Sequence, residues 1–265
     1  MRVLGLLGVV SLLLVSLAFP AHAVDEGVPD GDRHPYVGLL GYDLDGAGPE
    51  SPALWCSGSV LSDRHFLTAA HCITARPPDV EWVVTLEPGT PGAPVVEPGV
   101  FPESFSFPFT GPLIRGGAAT VHPDFDGDRL AHDVAVVTFP AGSFADVTPV
   151  KIAETGLLDR LRRLPSLRLV GYGVDPERGD GATVFVVEGY RQTRTTSATK
   201  VTNRQMYLKG GLCLVDSGSP QLLGETDVAV SLFSDPGADC AGPFVSQRLD
   251  TRSEHRFLSG FVRLS

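Results

Sequence analysis

The stretch Cys213-Leu214-Val215-Asp216-Ser217-Gly218-Ser219-Pro220 carries most of what can be read from this chain. Upstream, Leu67-Thr68-Ala69-Ala70-His71-Cys72 follows an apolar run that reads as a strand, and Ala131-His132-Asp133-Val134-Ala135-Val136 sets an acid at the head of another. A histidine, an aspartate or a serine taken singly is most often structural. In the order His71, Asp133, Ser217, the three can supply a base, a group that orients it and a nucleophile.

Around these blocks the chain is punctuated like an all-β protein. Its 22 prolines and 30 glycines are spread throughout. Between them lie short β-rich runs: Tyr36–Tyr42, Ser57–Leu61, Val80–Thr85, Ala118–Val121, Val134–Phe139, Leu167–Tyr172, Thr183–Tyr190, Val228–Phe233 and Phe244–Leu249. Many short strands at turn-bounded intervals favour a sandwich or barrel over an α/β fold. The stretch Glu87–Gly117, rich in Pro and Gly, reads as long loops with at most a strand within it. One helix is signposted, and it comes last. Thr251-Arg252-Ser253-Glu254 has capping-box form, and Phe257, Leu258, Phe261 and Val262 fall on one face. Such a helix would pack an apolar stripe onto the outside of a barrel in a structural role.

The blocks T-A-A-H-C, H-D-V-A and C-x-x-D-S-G-x-P resemble the signature blocks of chymotrypsin/trypsin-like serine proteases, in particular bacterial secreted members, whose C-terminal block also reads R-L-D-T as in Arg248–Thr251. The resemblance runs from Val24 to the terminal helix. It implies an all-β fold of two six-stranded antiparallel Greek-key-like barrels with a C-terminal helix. The first barrel would cover about residues 24–145, the second about 146–250 and the helix about 251–262, with the site in the cleft between barrels. His71 would be general base and acid, Asp133 would fix its tautomer, and Ser217 would attack a carbonyl to form an acyl-enzyme. The backbone N–H groups of Val215 and Ser217 would form the oxyanion hole. No metal or cofactor is implied.

Four cysteines permit three pairings, and spacing alone does not choose among them. The resemblance implies Cys56–Cys72 and Cys213–Cys240. It also implies that a β-branched residue at a newly made N-terminus inserts inward and pairs its ammonium with the acid before the nucleophile. Val24 and Asp216 occupy those positions.

Two departures touch function. The nucleophile motif of the family is usually G-D-S-G-G-P, and here Val215 and Ser219 replace glycines. The N–H of Val215 survives, but a β-branched side chain restricts the backbone and adds bulk where substrate approaches. In the specificity pocket, Gly211 stands where trypsin-like members carry Asp, which disfavours cleavage after Arg or Lys. Phe244 falls where Gly often stands and would fill much of the pocket. Ser231 is the candidate for the buried serine that supports the triad aspartate. A catalytically weak or silent relative that binds a protein partner is therefore a second reading beside the endopeptidase. An esterase is poorly supported, because the G-x-S-x-G elbow is absent.

The N-terminus opens with Arg2, an apolar run Val3–Leu17 and Ala21-His22-Ala23, the three parts of a secretory signal peptide over residues 1–23. Cleavage after Ala23 would make Val24 the first residue and leave no membrane anchor, and export suits disulfides. Signal peptidase itself would then expose the activating ammonium. A net charge of −10 without a basic block argues against nucleic acid. Metal-ligand spacing, a phosphate loop and C-x-x-C are all absent. His122 fits a structural turn, and His132 simply precedes Asp133. His34, His65 and His255 are expected at the surface. The expected partners are a protein or peptide substrate and a protein inhibitor, acting on a monomeric extracellular chain.

Overall fold

The structure, a computed structural model, describes residues 24, 27–43, 53–89, 112–179, 182–187, 190–235, 237 and 240–264. The expected signal peptide, much of the expected loop at 87–117 and the end of the expected strand at 183–190 lie outside them.

The chain begins with a short strand β1 (Val28–Pro29). Six strands follow, β2 (Val37–Asp43), β3 (Ala53–Val60), β4 (His65–Thr68), β5 (Glu81–Thr85), β6 (Ile114–Val121) and β7 (Ala135–Thr138), with a single helical turn α1 (Ala70–Thr74) after β4. They close into a barrel in the order β2-β3-β4-β7-β6-β5. Valine, leucine and phenylalanine dominate its buried positions, among them Val37, Leu39, Phe66, Leu67, Val84, Val136 and Val137. Packed this way the strands fit a pleated, half-buried surface.

The second half contributes β8 (Lys151–Ile152), a helical turn α2 (Leu157–Arg160), β9 (Ser166–Gly171), β10 (Val174–Gly179), β11 (Ala182–Val187), β12 (Gln192–Val201), β13 (Gln205–Leu208), β14 (Pro220–Leu223), β15 (Val228–Asp235), β16 (Phe244–Arg248) and the helix α3 (Arg252–Leu258). Strands β12-β13-β16-β15-β14-β9 form the second barrel, closed by pairing of β12 with β9. β10 and β11 form a separate hairpin. The fold is thus two closed six-stranded antiparallel barrels with a C-terminal helix.

Three details differ from the sequence reading. The N-terminal segment leaves the first barrel: β1 pairs with β12, and Val24 is buried in the core of the second barrel beside residues such as Leu167 and Leu169. The capping box does not form. Thr251 makes no side-chain cap, and Glu254 turns into the protein, fully buried. His34 is buried against Asp30, with Nδ1 to Oδ1 at 2.6 Å, while His65 and His255 are half-buried and hydrogen-bonded. A histidine that reads as surface in a polar stretch is drawn inward here by a specific partner.

Candidate active site

Strand pairing brings His71 and Asp133 together. β4 and β7 run antiparallel with Thr68 opposite Ala135. His71 follows Thr68 in the turn α1 and Asp133 precedes Ala135, so both leave the sheet at the same end. The backbone N–H of His71 donates to Asp133 Oδ1 at 2.8 Å, and Nδ1 donates to Oδ2 at 2.8 Å. The Asp133 side chain is wholly buried and that of His71 is 26% exposed. A carboxylate can only accept, so the proton sits on Nδ1 and Nε2 is left as the acceptor.

The loop that carries Ser217, between β13 and β14, belongs to the second barrel and is tied to the first. Ser57 N–H, on β3, donates to the Ser217 carbonyl at 2.8 Å, and Ser57 Oγ donates to the Val215 carbonyl at 2.8 Å. Gly218 (φ 85°) is needed here twice over, because a Cβ would run into the Ser57 carbonyl and Thr68 Oγ1 as well as straining the backbone. Cys72 Sγ touches both halves: it lies 3.7 Å from His71 Nε2 and 3.9 Å from the Ser217 carbonyl oxygen. This sulfur is in a disulfide and carries no proton, so both are packing contacts. No hydrogen bond joins Ser217 Oγ to His71 Nε2 among the described residues. The N–H groups of Val215 and Ser217 likewise donate to no acceptor among the described residues. They are two available donors in the loop that carries Ser217. Val215 adopts φ 71°, a left-handed conformation that is an outlier for a β-branched residue.

Asp216 is fully buried. It accepts from Gly173 N–H at 2.8 Å and Cys213 N–H at 3.0 Å. Burial pushes its carboxyl up to about 8, and those two donors offset only part of the effect. Val24 packs into the same barrel. In the uncut chain its N–H donates to Gln192 Oε1 at 3.4 Å. Gln192 pairs with Gly171, and a Cβ on Gly171 would collide with Asp216 Oδ1.

Both disulfides form as the resemblance implies, Cys56–Cys72 and Cys213–Cys240. The pocket residues fare differently. Gly211 (φ 99°) and Phe244 line one cavity of about 480 Å³ with Arg194 and Lys209, but none of His71, Asp133 or Ser217 lines it. Ser231 is not beside Asp133. Its hydroxyl donates to Gln221 Oε1 at 2.8 Å inside the second barrel. The serine that reaches the Ser217 loop is Ser234, three positions on: its neighbour Phe233 exchanges backbone bonds with Gly218 and Ser219, and the buried Ser234 Oγ is unpartnered. Sequence reading missed Ser234 because a strand of alternating small and apolar residues offers two serines and no internal marker of register.

No protein-family model matches the chain, and no curated protein matches it. Solved structures do. The chain is similar to an HL collagenase (18% identity, 91% of this chain and 100% of that one, TM-score 0.63). It is similar to the VesB protease of Vibrio cholerae (16% identity, 90% and 67%, TM-score 0.62). The human heparin binding protein is a third (14% identity, 90% and 96%, TM-score 0.61). With the two barrels described above, these likenesses give the chain the trypsin-like serine protease fold.

Proposed function

We propose that this chain is a secreted serine endopeptidase that hydrolyses peptide bonds through an acyl-enzyme on Ser217 and is not directed to Arg or Lys. The observation that carries this reading is the joint geometry of two loops. An imidazole oriented by a buried carboxylate packs on the same sulfur as a serine whose loop offers two unpaired N–H groups. Ser217 Oγ bonds to the substrate carbonyl carbon as its proton passes to His71 Nε2. The charge that develops on the carbonyl oxygen is held by the N–H groups of Val215 and Ser217. Collapse expels the amine, which takes the proton from His71, and water then repeats the sequence to free Ser217. Substrate closes the gap between Ser217 and His71, since catalytic hydrogen bonds tighten in the Michaelis complex.

Selectivity and processing follow the same reasoning. Gly211 offers no carboxylate to receive a cationic side chain, which supports a preference other than Arg or Lys. The apolar run Val3–Leu17, the Ala21-His22-Ala23 signature and two disulfides support export. No helix of the described residues is long and apolar enough to cross a membrane. Cleavage after Ala23 would give Val24 an ammonium that pairs with Asp216. The substrate would be a protein or peptide, met by a monomer open to a protein inhibitor.

A second reading, a silent binding module, is favoured by the left-handed Val215 and by the missing Ser217–His71 hydrogen bond. One structure of this fold is itself described as a heparin binding protein. A fluorophosphonate probe separates the two. The secreted chain should be labelled and Ser217→Ala should not; a folded, processed parent that resists the probe would mean the binding module.

A further inference from the structure

The sequence motif left unused is the capping-box glutamate. A glutamate in the first helical turn ordinarily reaches back to the cap N–H at the surface. Glu254 instead points inward with no exposure. Burying a carboxylate is costly unless it is paired and hydrogen-bonded, so its partners matter. Oε1 accepts from His132 Nδ1 at 2.6 Å and from Gln247 Nε2 at 3.3 Å, and Oε2 is buried without a partner. Both partners lead to one residue. Gln247 Oε1 accepts the backbone N–H of Asp133 at 3.3 Å, and His132 is its chain neighbour.

That neighbour is held in a disfavoured conformation. His132 has φ 55° and Leu130 φ 47°, so the turn entering Asp133 is strained twice. Such strain persists only where the surroundings over-determine it. The ring of His132 is gripped by Glu254 on one side and stacked on His122 on the other, centroids 4.8 Å apart and planes 14° apart. His122 accepts Asp124 N–H at Nδ1 and meets Ser253 Oγ at 3.3 Å, and burial holds its pKa below the usual imidazole value. The three side chains bring ligand atoms within 4.8 Å of one another. Near-parallel rings, however, cannot aim their in-plane lone pairs at one ion, so the cluster is a hydrogen-bonded brace and not a metal site.

We propose that Glu254 is a positioning residue for Asp133: through His132 and Gln247 the C-terminal helix of one end of the chain sets the main chain from which Asp133 gives both carboxylate oxygens to His71. The role rests on the acyl-transfer reading above. Asp133 Oδ1 and Oδ2 each bond His71 at 2.8 Å, so a turn of the Asp133 backbone spoils both contacts together. A displacement of about 1 Å in a catalytic group can cost about 10²-fold in rate.

The test compares the secreted parent with Glu254→Gln, Glu254→Asp and Glu254→Ala. It measures near-UV circular dichroism for folding, amide hydrogen exchange at Asp133, and fluorophosphonate inactivation with its maximal rate separated from probe affinity. Gln keeps the length and an acceptor and should stay close to the parent. Asp keeps the charge but falls a methylene short, and with Ala it should lower the maximal rate about 10²-fold at unchanged probe affinity. Faster exchange of the Asp133 N–H should accompany that loss. Folded Ala or Asp variants with parental rate and exchange would overturn the proposal. Should Ala not fold, Asp performing as well as Gln would overturn it equally. A parent inert to the probe would sink the acyl-transfer reading instead; exchange at Asp133 then decides the brace alone, with unchanged exchange in the variants overturning it.

Discussion

At Val215 two costs compete, and their sizes can be compared. A β-branched residue at φ 71° stores roughly 1–3 kcal/mol of backbone strain. Its side chain is nearly fully buried, which returns about 1.5–3 kcal/mol by removing apolar surface from water. The two nearly cancel, so Val215→Gly should leave the melting temperature within a few degrees of the parent. Activity should not cancel. In the proposed mechanism its N–H is one of the two oxyanion donors, and a glycine would let the backbone relax to aim it. An aimed donor is worth about 10²–10³ in rate, so even partial recovery should raise the rate of fluorophosphonate acylation about tenfold. An unchanged rate in a folded Gly variant would mean that Val215 costs the site nothing. Ser57 limits how far the loop can relax, because its hydroxyl holds the Val215 carbonyl and also accepts Tyr172 N–H at 3.2 Å.

Elements explain which features were legible in advance. Apolar strands such as β2, β7 and β15 announce themselves by composition, and the pairing of β4 with β7 carries His71 and Asp133 to the same end of the sheet. β12 does not. Its sequence QTRTTSATKV is polar, and its buried positions are Gln192, Thr193, Thr196 and Ala198, so hydrophobic periodicity is silent. Yet β12 is the strand that closes the second barrel and receives the N-terminus. The reason lies beside it in Arg191, a fully buried guanidinium. It donates to Asp30 Oδ2 at 2.9 Å, to the Val37 carbonyl at 2.9 Å and to the Leu86 carbonyl at 3.1 Å. A polar partner 161 residues away leaves no trace in local pattern. Burial alone would push Asp30 up, but His34 and then Arg191 more than offset it and hold the carboxyl below its ordinary value. With the folded pKa depressed, the stabilisation is present above the ordinary carboxylate value and is lost as pH falls through the folded one. Asp30→Ala strands the Arg191 cation and should cost about 3–5 kcal/mol in urea unfolding at pH 7. The deficit relative to the parent should begin to shrink as pH falls below about 4, where the unfolded chain takes up a proton, and should close as the folded carboxyl takes up its own at lower pH. A deficit independent of pH would show that packing, not charge, ties the N-terminal segment to β12.

For the whole molecule, Val24 of the N-terminal segment reaches Gln192 of the second barrel, whose partner Gly171 packs on Asp216 beside Ser217, and a pH profile can ask whether they form one unit. With the chain uncut, the Asp216 carboxyl has two N–H donors and no cationic partner among the described residues. Its pKa is raised to about 8, so the folded state keeps a proton that the unfolded state has already lost. Stability from this group is therefore full below the ordinary carboxylate value of about 4 and falls with rising pH until about 8. A free ammonium on Val24 changes the sign of the argument. Paired with it, the carboxylate ionises in the folded state too, and the slope between pH 5 and 7 should vanish, to reappear only as the amine loses its proton above about 8. The comparison uses the chain beginning at Val24 with its amine free and the same chain acetylated there, which removes the charge and little else. Urea midpoints at pH 5, 6 and 7 should fall steadily for the acetylated chain and stay level for the free one. Fluorophosphonate labelling of Ser217 should track the free amine, because Asp216 is the residue between the two donors of the loop. Parallel slopes in the two chains would mean that Val24 is buried for packing alone and that Asp216 is answered from elsewhere.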